Sequence, residues 1–287
     1  MRCPTIVRPE RRLVVSELSI SWHNVSYKHQ AQAGTRSVSQ PTNGVNFKVQ
    51  TQNSYPASLY GPAMQVTVKS KSGEEKSWTL PLALLIHHSG YFLRLRNFQE
   101  GEKAAVVLLD FEPDVFRFFV EFMYYGRYSF VDDLNHQNRV RDSAKAWVFG
   151  DYLDATEFKN FAMQNLHDIY FPPGNARPKV GIGADAISYC CRNTTTGSPL
   201  HNLYLKFTIR WFHDGDLIDY TSKSRTEWDT LWEEYPGFRN SLLYFLNQSE
   251  ADRAGFMVNL DEFMEKLTIK DEPSNPDVQC IESTTSV

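Results

Sequence analysis

The chain has 287 residues and a net charge of −4, enough length for one large or two small domains. It has no basic field to steer it onto nucleic acid or an anionic membrane surface, so neither is expected as a partner. Four cysteines, Cys3, Cys190, Cys191 and Cys280, follow neither a disulfide framework nor a metal-ligand spacing, which suggests a reducing compartment. The segment Met1–Val15 is basic but lacks the apolar core of a secretory signal, and no apolar run nears the roughly 18 residues of a membrane helix. The expected location is intracellular, in the cytoplasm and/or nucleus.

Residues 1–60 are rich in Ser, Thr, Gln and Asn and cannot bury enough surface to offset chain entropy, so they are expected to be disordered. Within them, the stretch Leu13–Tyr27 reads either as local strand or as a short docking motif. Order is expected from Met64. There Met64, Val66 and Val68 alternate onto one face, a Lys71-Ser72-Gly73-Glu74 turn follows, and Trp78 and Leu80 begin a partner strand.

Pro81 suits a first helical position, ahead of the short apolar helix LALLIHH. Ser89 is placed to cap a helix over 91–96, and residues 104–109 read as a third strand. Glu112-Pro113-Asp114 opens a helix through Tyr125 with Gly126 just past its end. Its run of Val and Phe leaves little polar face, which predicts a core helix.

Two further helices are expected over 139–152 and 156–170, with Ala146, Trp147, Phe149 and Gly150 allowing close packing. Phe171-Pro172-Pro173-Gly174 breaks the pattern and reads as a domain boundary. Helical segments follow at 184–191, after Ser198-Pro199, at 226–234, 238–247 and 260–267, before a polar tail from Lys270. The division is therefore a disordered segment 1–60, an ordered domain 61–172, a helical extension 178–268 and a disordered tail 269–287.

No catalytic, cofactor or metal site emerges from this pattern. His87 and His88 are adjacent and so point to different helix faces, one reading as a satisfied core histidine and the other as exposed. Cys190-Cys191 lacks a partner cluster for zinc, and both read as half-buried helix residues. His213-Asp214-Gly215-Asp216 lacks the closing glutamate of a calcium loop and suits a helix-terminal turn. Gly181-Ile182-Gly183 lacks the third glycine and preceding strand of a dinucleotide site. An enzyme would need a site assembled from scattered residues.

Residues 64–170 carry a series of short elements in a characteristic order. After the hairpin come His87-His88-Ser89-Gly90-Tyr91-Phe92, then Phe98-Gln99-Glu100, then Leu108-Leu109-Asp110. Next are Glu112-Pro113-Asp114-Val115-Phe116, Tyr124-Tyr125-Gly126 and Val148-Phe149-Gly150-Asp151-Tyr152-Leu153. In this order and spacing the segment resembles the BTB/POZ domain, in the form common in fungal proteins. The region 184–211, with Ser198-Pro199-Leu200 opening an apolar helix, resembles the helical tail that often follows the domain in fungal chains.

The resemblance implies an α+β fold: a BTB/POZ-like helical domain with a small flanking β-sheet, followed by a helical C-terminal region. It implies a non-catalytic protein whose partners are other proteins: a second copy, another chain, or the cullin scaffold of a ubiquitin ligase. In cullin-binding members a hydrophobic-x-acidic element contacts the scaffold, and Phe98 and Glu100 occupy that position here. Phe98 then either anchors a partner or closes the domain's own core, and Glu100 either meets a basic rim or is solvated. Tyr124 and Tyr128 are further candidates, as exposed anchors or as edge-of-core residues.

The pattern departs from the family at two places. Leu80-Pro81-Leu82 replaces a Val-His-Lys element, and Met64–Lys69 supplies no Asp to pair with that histidine. The buried charged pair of the dimeric animal transcription-factor branch has no counterpart in these residues. Two versions of the function follow: a substrate adaptor of a cullin-type ligase, or a self-associating scaffold with no link to ubiquitin.

Overall fold

Alternation of apolar and polar residues builds the sheet. A computed structural model describes residues 61–98, 105–130, 135–220, 224–249 and 259–267, the side chains of Asn97, Phe98 and Asn175 excepted. The segments 1–60 and 269–287 expected to be disordered lie outside the described residues. Strand β1 (Ala63–Lys69) pairs antiparallel with β2 (Glu75–Pro81), with Met64 opposite Leu80 and Val66 opposite Trp78. At the turn Gly73 takes a positive φ of 89°, and the Ser70 hydroxyl accepts from the Glu74 N–H at 3.0 Å. Strand β3 (Ala105–Leu109) runs parallel to β1 on its other side, giving the order β2-β1-β3. Met64, Val66, Val68, Leu80 and Leu108 are all buried on one face, as period-two alternation requires.

Helix α1 (Leu82–His88) follows directly, but Pro81 is not its first residue. Pro81 stays extended at φ −56°, ψ 124°, because the strand ladder holds one residue longer and the Leu82 N–H donates to the Pro62 carbonyl at 2.9 Å. Helix α2 spans Gly90–Phe98, with the Ser89 hydroxyl accepting from the Phe92 N–H at 3.3 Å. Helix α3 (Pro113–Tyr125) begins with proline in the first turn and ends where Gly126 adopts φ 66° and donates to the Phe122 carbonyl.

Helix α4 (His136–Tyr152) starts three residues before the expected Arg139, because the Asn135 side chain caps it by accepting from the Asn138 N–H at 3.1 Å. Helix α5 (Thr156–Tyr170) returns against it. The two approach closely at Gly150, where a Cβ would stand only 2.7 Å from Lys159 Cγ. Between α3, α4 and α5 lies an aromatic core. Phe119 packs on Phe149 and Phe158 with centroids 6.3 and 5.3 Å apart, and Trp78 of β2 closes on Phe116 at 4.8 Å.

The break at 171–174 turns the backbone through a 3₁₀ turn (Pro173–Asn175), with Gly174 at φ 71°. Packing continues across it: the Tyr170 ring lies 4.7 Å from Phe207 and 5.9 Å from Tyr204, both on α7. The extension consists of α6 (Ala184–Asn193), α7 (Pro199–Trp211), α8 (Arg225–Glu234) and α9 (Pro236–Leu246). The Ser198 hydroxyl caps α7 by accepting from the His201 N–H at 3.3 Å, and Leu200, Leu203 and Phe207 are fully buried.

One expected helix is absent. Residues 260–267 form only a 3₁₀ turn (Leu260–Glu262), a turn residue and then chain without regular secondary structure. The Glu265 N–H donates to the Asn160 side chain instead of to a carbonyl four residues back. The tertiary partner overrides the helical pattern of this segment.

Candidate functional site

The two sequence elements farthest apart in the domain meet in space. The Ser89 hydroxyl donates to the Leu153 carbonyl at 2.7 Å, and the Gly90 and Tyr91 N–H groups donate to the Asp154 and Leu153 carbonyls at 3.0 Å each. Gly90 is required there, since a Cβ would fall 2.0 Å from Asp154 Oδ2. The start of α2 is thus pinned to the α4–α5 turn.

This junction carries an aromatic patch. Tyr152 is half exposed and its ring lies 4.7 Å from Phe111 and 5.5 Å from Tyr91. Burial pushes the Tyr91 hydroxyl up to about 12. The Arg94–Asp154 ion pair at 2.7 Å borders the patch.

Of the four residues singled out from sequence, the structure describes the side chains of Tyr124 and Tyr128. Phe98 ends α2, but its side chain and all of Glu100 fall outside the described residues. Tyr124 stands 38 % exposed beside Tyr125 at 76 %, both at the end of α3 just before Gly126. For Tyr128 the exposed-anchor reading is corrected and the core reading holds: it is 5 % exposed, with its ring stacked on Phe118 at 4.8 Å. The left-handed turn at Gly126 reverses the chain and folds Tyr128 under α3, which no local pattern announces. Burial raises its hydroxyl to about 12, partly offset by the nearby Ser143 and Asn165 side chains.

Other exposed apolar residues escaped notice in the sequence. Val107 and Leu109 on the outward face of β3 are 58 % and 60 % exposed, and Tyr125 is the most open of the α3 tyrosines. Their signal was present: alternation in AVVLL buries Leu108 and therefore turns Val107 and Leu109 outward.

The residues that carry chemistry elsewhere have structural settings. His87 is exposed and His88 buried, but His88 is not the satisfied core histidine expected. Its two ring nitrogens make no hydrogen bond, and Glu157 Oε2 lies 3.7 Å from Nδ1. The ring is instead enclosed by the His87 ring at 4.7 Å and Phe122 at 6.0 Å.

Cys190 is fully buried and Cys191 partly so, with burial raising their thiols to about 12 and about 11. Asp214 and Asp216 form a clamp on Arg177, at 2.7 and 2.9 Å from its Nη2. The Arg177 guanidinium holds the Asp214 carboxyl below the usual carboxylate range. Gly181 allows close backbone approach, since a Cβ would meet the Leu217 carbonyl oxygen at 2.1 Å. Among the described residues no group of three His, Cys, Asp or Glu side chains gathers to hold a metal ion. No helix among them is long and apolar enough to cross a membrane.

Comparison with known proteins agrees with this architecture. Residues 65–145 match the family model of the BTB/POZ domain. No curated protein matches the chain. The fold is that of a BTB domain with a small three-stranded sheet followed by helices. Such domains are in general protein–protein interaction modules without enzymatic activity, and they mediate association including dimerisation.

Proposed function

We propose that this protein is a non-catalytic adaptor, acting inside the cell in the cytoplasm or nucleus, that joins a client to a cullin-type ubiquitin ligase. The observation that supports the reading is the BTB/POZ match over residues 65–145, a span that contains Phe98-Gln99-Glu100, the element the family resemblance likens to a scaffold contact. Helix α2 ends at Phe98 and is held at its other end by the α4–α5 turn. The exposed Tyr124 and Tyr125 offer further aromatic anchor surface. The helical extension, whose α6 and α7 resemble the tail of fungal chains, would receive the client.

Binding of the full chain to an immobilised cullin N-terminal domain tests this. Phe98→Ala and Glu100→Lys are each expected to weaken binding about tenfold or more, with an unchanged circular dichroism spectrum. If both variants bind as the parent does, the adaptor reading is wrong.

A second reading, a self-associating scaffold with no ubiquitin link, is favoured by the outward face of β3. Val107 and Leu109 there present apolar area that a second copy could cover. Under it, Val107→Lys dissociates an oligomer that forms without any cullin.

A further inference from the structure

Residues 259–267 lie across α5 and α7 in the manner of a bound peptide. Phe263 is 1 % exposed and sits between the His167 ring, 6.3 Å away, and the Lys206 ammonium, 5.4 Å from its centroid. On one side of it Glu262 pairs with Lys206, and on the other Glu265 pairs with Lys159. Asn160 binds the main chain of Glu265 from both sides: its Nδ2 donates to the carbonyl and its Oδ1 accepts from the N–H, each at 2.9 Å. Leu260 and Met264 cover the groove's apolar margin.

Three properties mark this as a recognition site and not only as chain packing. The segment has no helix of its own after Glu262, so its order after that turn comes from the groove. The Asn160 pair reads backbone and accepts any residue at that position. Lys206 and Lys159 pair with Glu262 and Glu265, the acidic residues that flank the central aromatic ring, and Lys159 is also held by Asp151.

We propose that the α5–α7 groove is a binding site for an acidic, phenylalanine-centred segment of a partner protein. The chain's own residues 259–267 occupy it in cis and must be displaced. The site is separate from the Phe98 region and does not depend on any cullin. Tethering gives the internal segment an effective concentration on the order of millimolar, so a partner segment must bind more tightly or be presented multivalently.

The test uses the full chain carrying Phe263→Asp, which puts a charge into the aromatic socket and releases the internal segment. A fluorescent peptide copy of residues 259–267 serves as the probe. It is expected to bind the Phe263→Asp protein saturably, about tenfold or more tighter than the parent, whose own segment competes. Adding Asn160→Ala or Lys206→Glu should remove that binding, and higher salt should weaken it. A folded Phe263→Asp protein that leaves the peptide free, or that binds it equally well with Asn160→Ala, overturns the proposal.

Hydrogen exchange on the parent decides the matter if Phe263→Asp fails to fold. The Glu265 amide is expected to exchange by local opening about a hundredfold faster than the core amides of α5 and α7. Equal rates mean that the segment leaves only on global unfolding, and the proposal falls.

Discussion

The aromatic core beneath α3 and the segment 259–267 are both centred on buried phenylalanines, but they are held in different ways. Phe119 and Phe158 come from helices that satisfy their own backbone, and each ring touches several others. Phe263 comes from a stretch in which a side chain of α5 satisfies the Glu265 main chain, and its buried ring lies beside the His167 ring and the Lys206 ammonium. Redundant ring packing makes the first region cooperative with the whole domain. A few polar fasteners around a single ring make the second separable from it.

The largest expected effect is in the core. Phe119→Ala or Trp147→Ala should cost about 3–5 kcal/mol in urea unfolding, because each side chain is buried in the core and its loss leaves a cavity. Phe263→Ala should cost less than about half as much, since the penalty is capped by the free energy of undocking the segment. Equal penalties would erase the contrast between the two regions.

Next in size is Gly181→Ala, expected at about 1–3 kcal/mol. Its Cβ would meet backbone atoms of Leu217, and the Ile182 N–H donates to that same carbonyl at 2.8 Å, so the backbone cannot give without losing the bond. A thermal melt showing no change would mean the loop before α6 is free to shift.

The legibility of the sequence followed the locality of the forces. Helices α1, α3 and α5 were readable because proline, glycine and dense apolar runs act within a few residues. The start of α4 was missed because an asparagine cap ahead of a polar first turn looks like loop. Residues 260–267 were misread because the groove, not the segment's periodicity, decides their backbone. Tyr128 and His88 share a cause: their surroundings come from Phe118, Phe122, Ser143 and Glu157, whose positions only the tertiary fold sets. The candidate Phe98-Gln99-Glu100 site was legible only through family resemblance.

A smaller effect concerns pH. His201 is buried on α7, and desolvation lowers its pKa in the folded state. The unfolded chain therefore takes up a proton first as pH falls below about 6.5, and stability should decline from there toward the lower folded value. Asp142 and Asp185, whose carboxyls burial raises, work in the opposite sense nearer the carboxylate range. Urea midpoints at pH 7.5 and 5.5 for the parent and His201→Gln should diverge less in the variant; an identical pH dependence would remove His201 from the account.

The smallest expected effect is Tyr128→Phe. The hydroxyl is buried without a well-formed hydrogen bond, so its loss should change stability by less than about 1 kcal/mol. Its binding to a cullin domain should also be unchanged, since Tyr128 lies in the core. A large loss of binding in a stable Tyr128→Phe protein would return this residue to the interface.

The central claim is the proposed adaptor reading, in which the BTB platform holds a cullin scaffold. Light scattering after size-exclusion chromatography of the full chain, alone and mixed with a cullin N-terminal domain, tests it most directly. The account predicts a stoichiometric complex that disappears with Phe98→Ala while the fold persists. A mass for the mixture that never exceeds those of the separate components would contradict it.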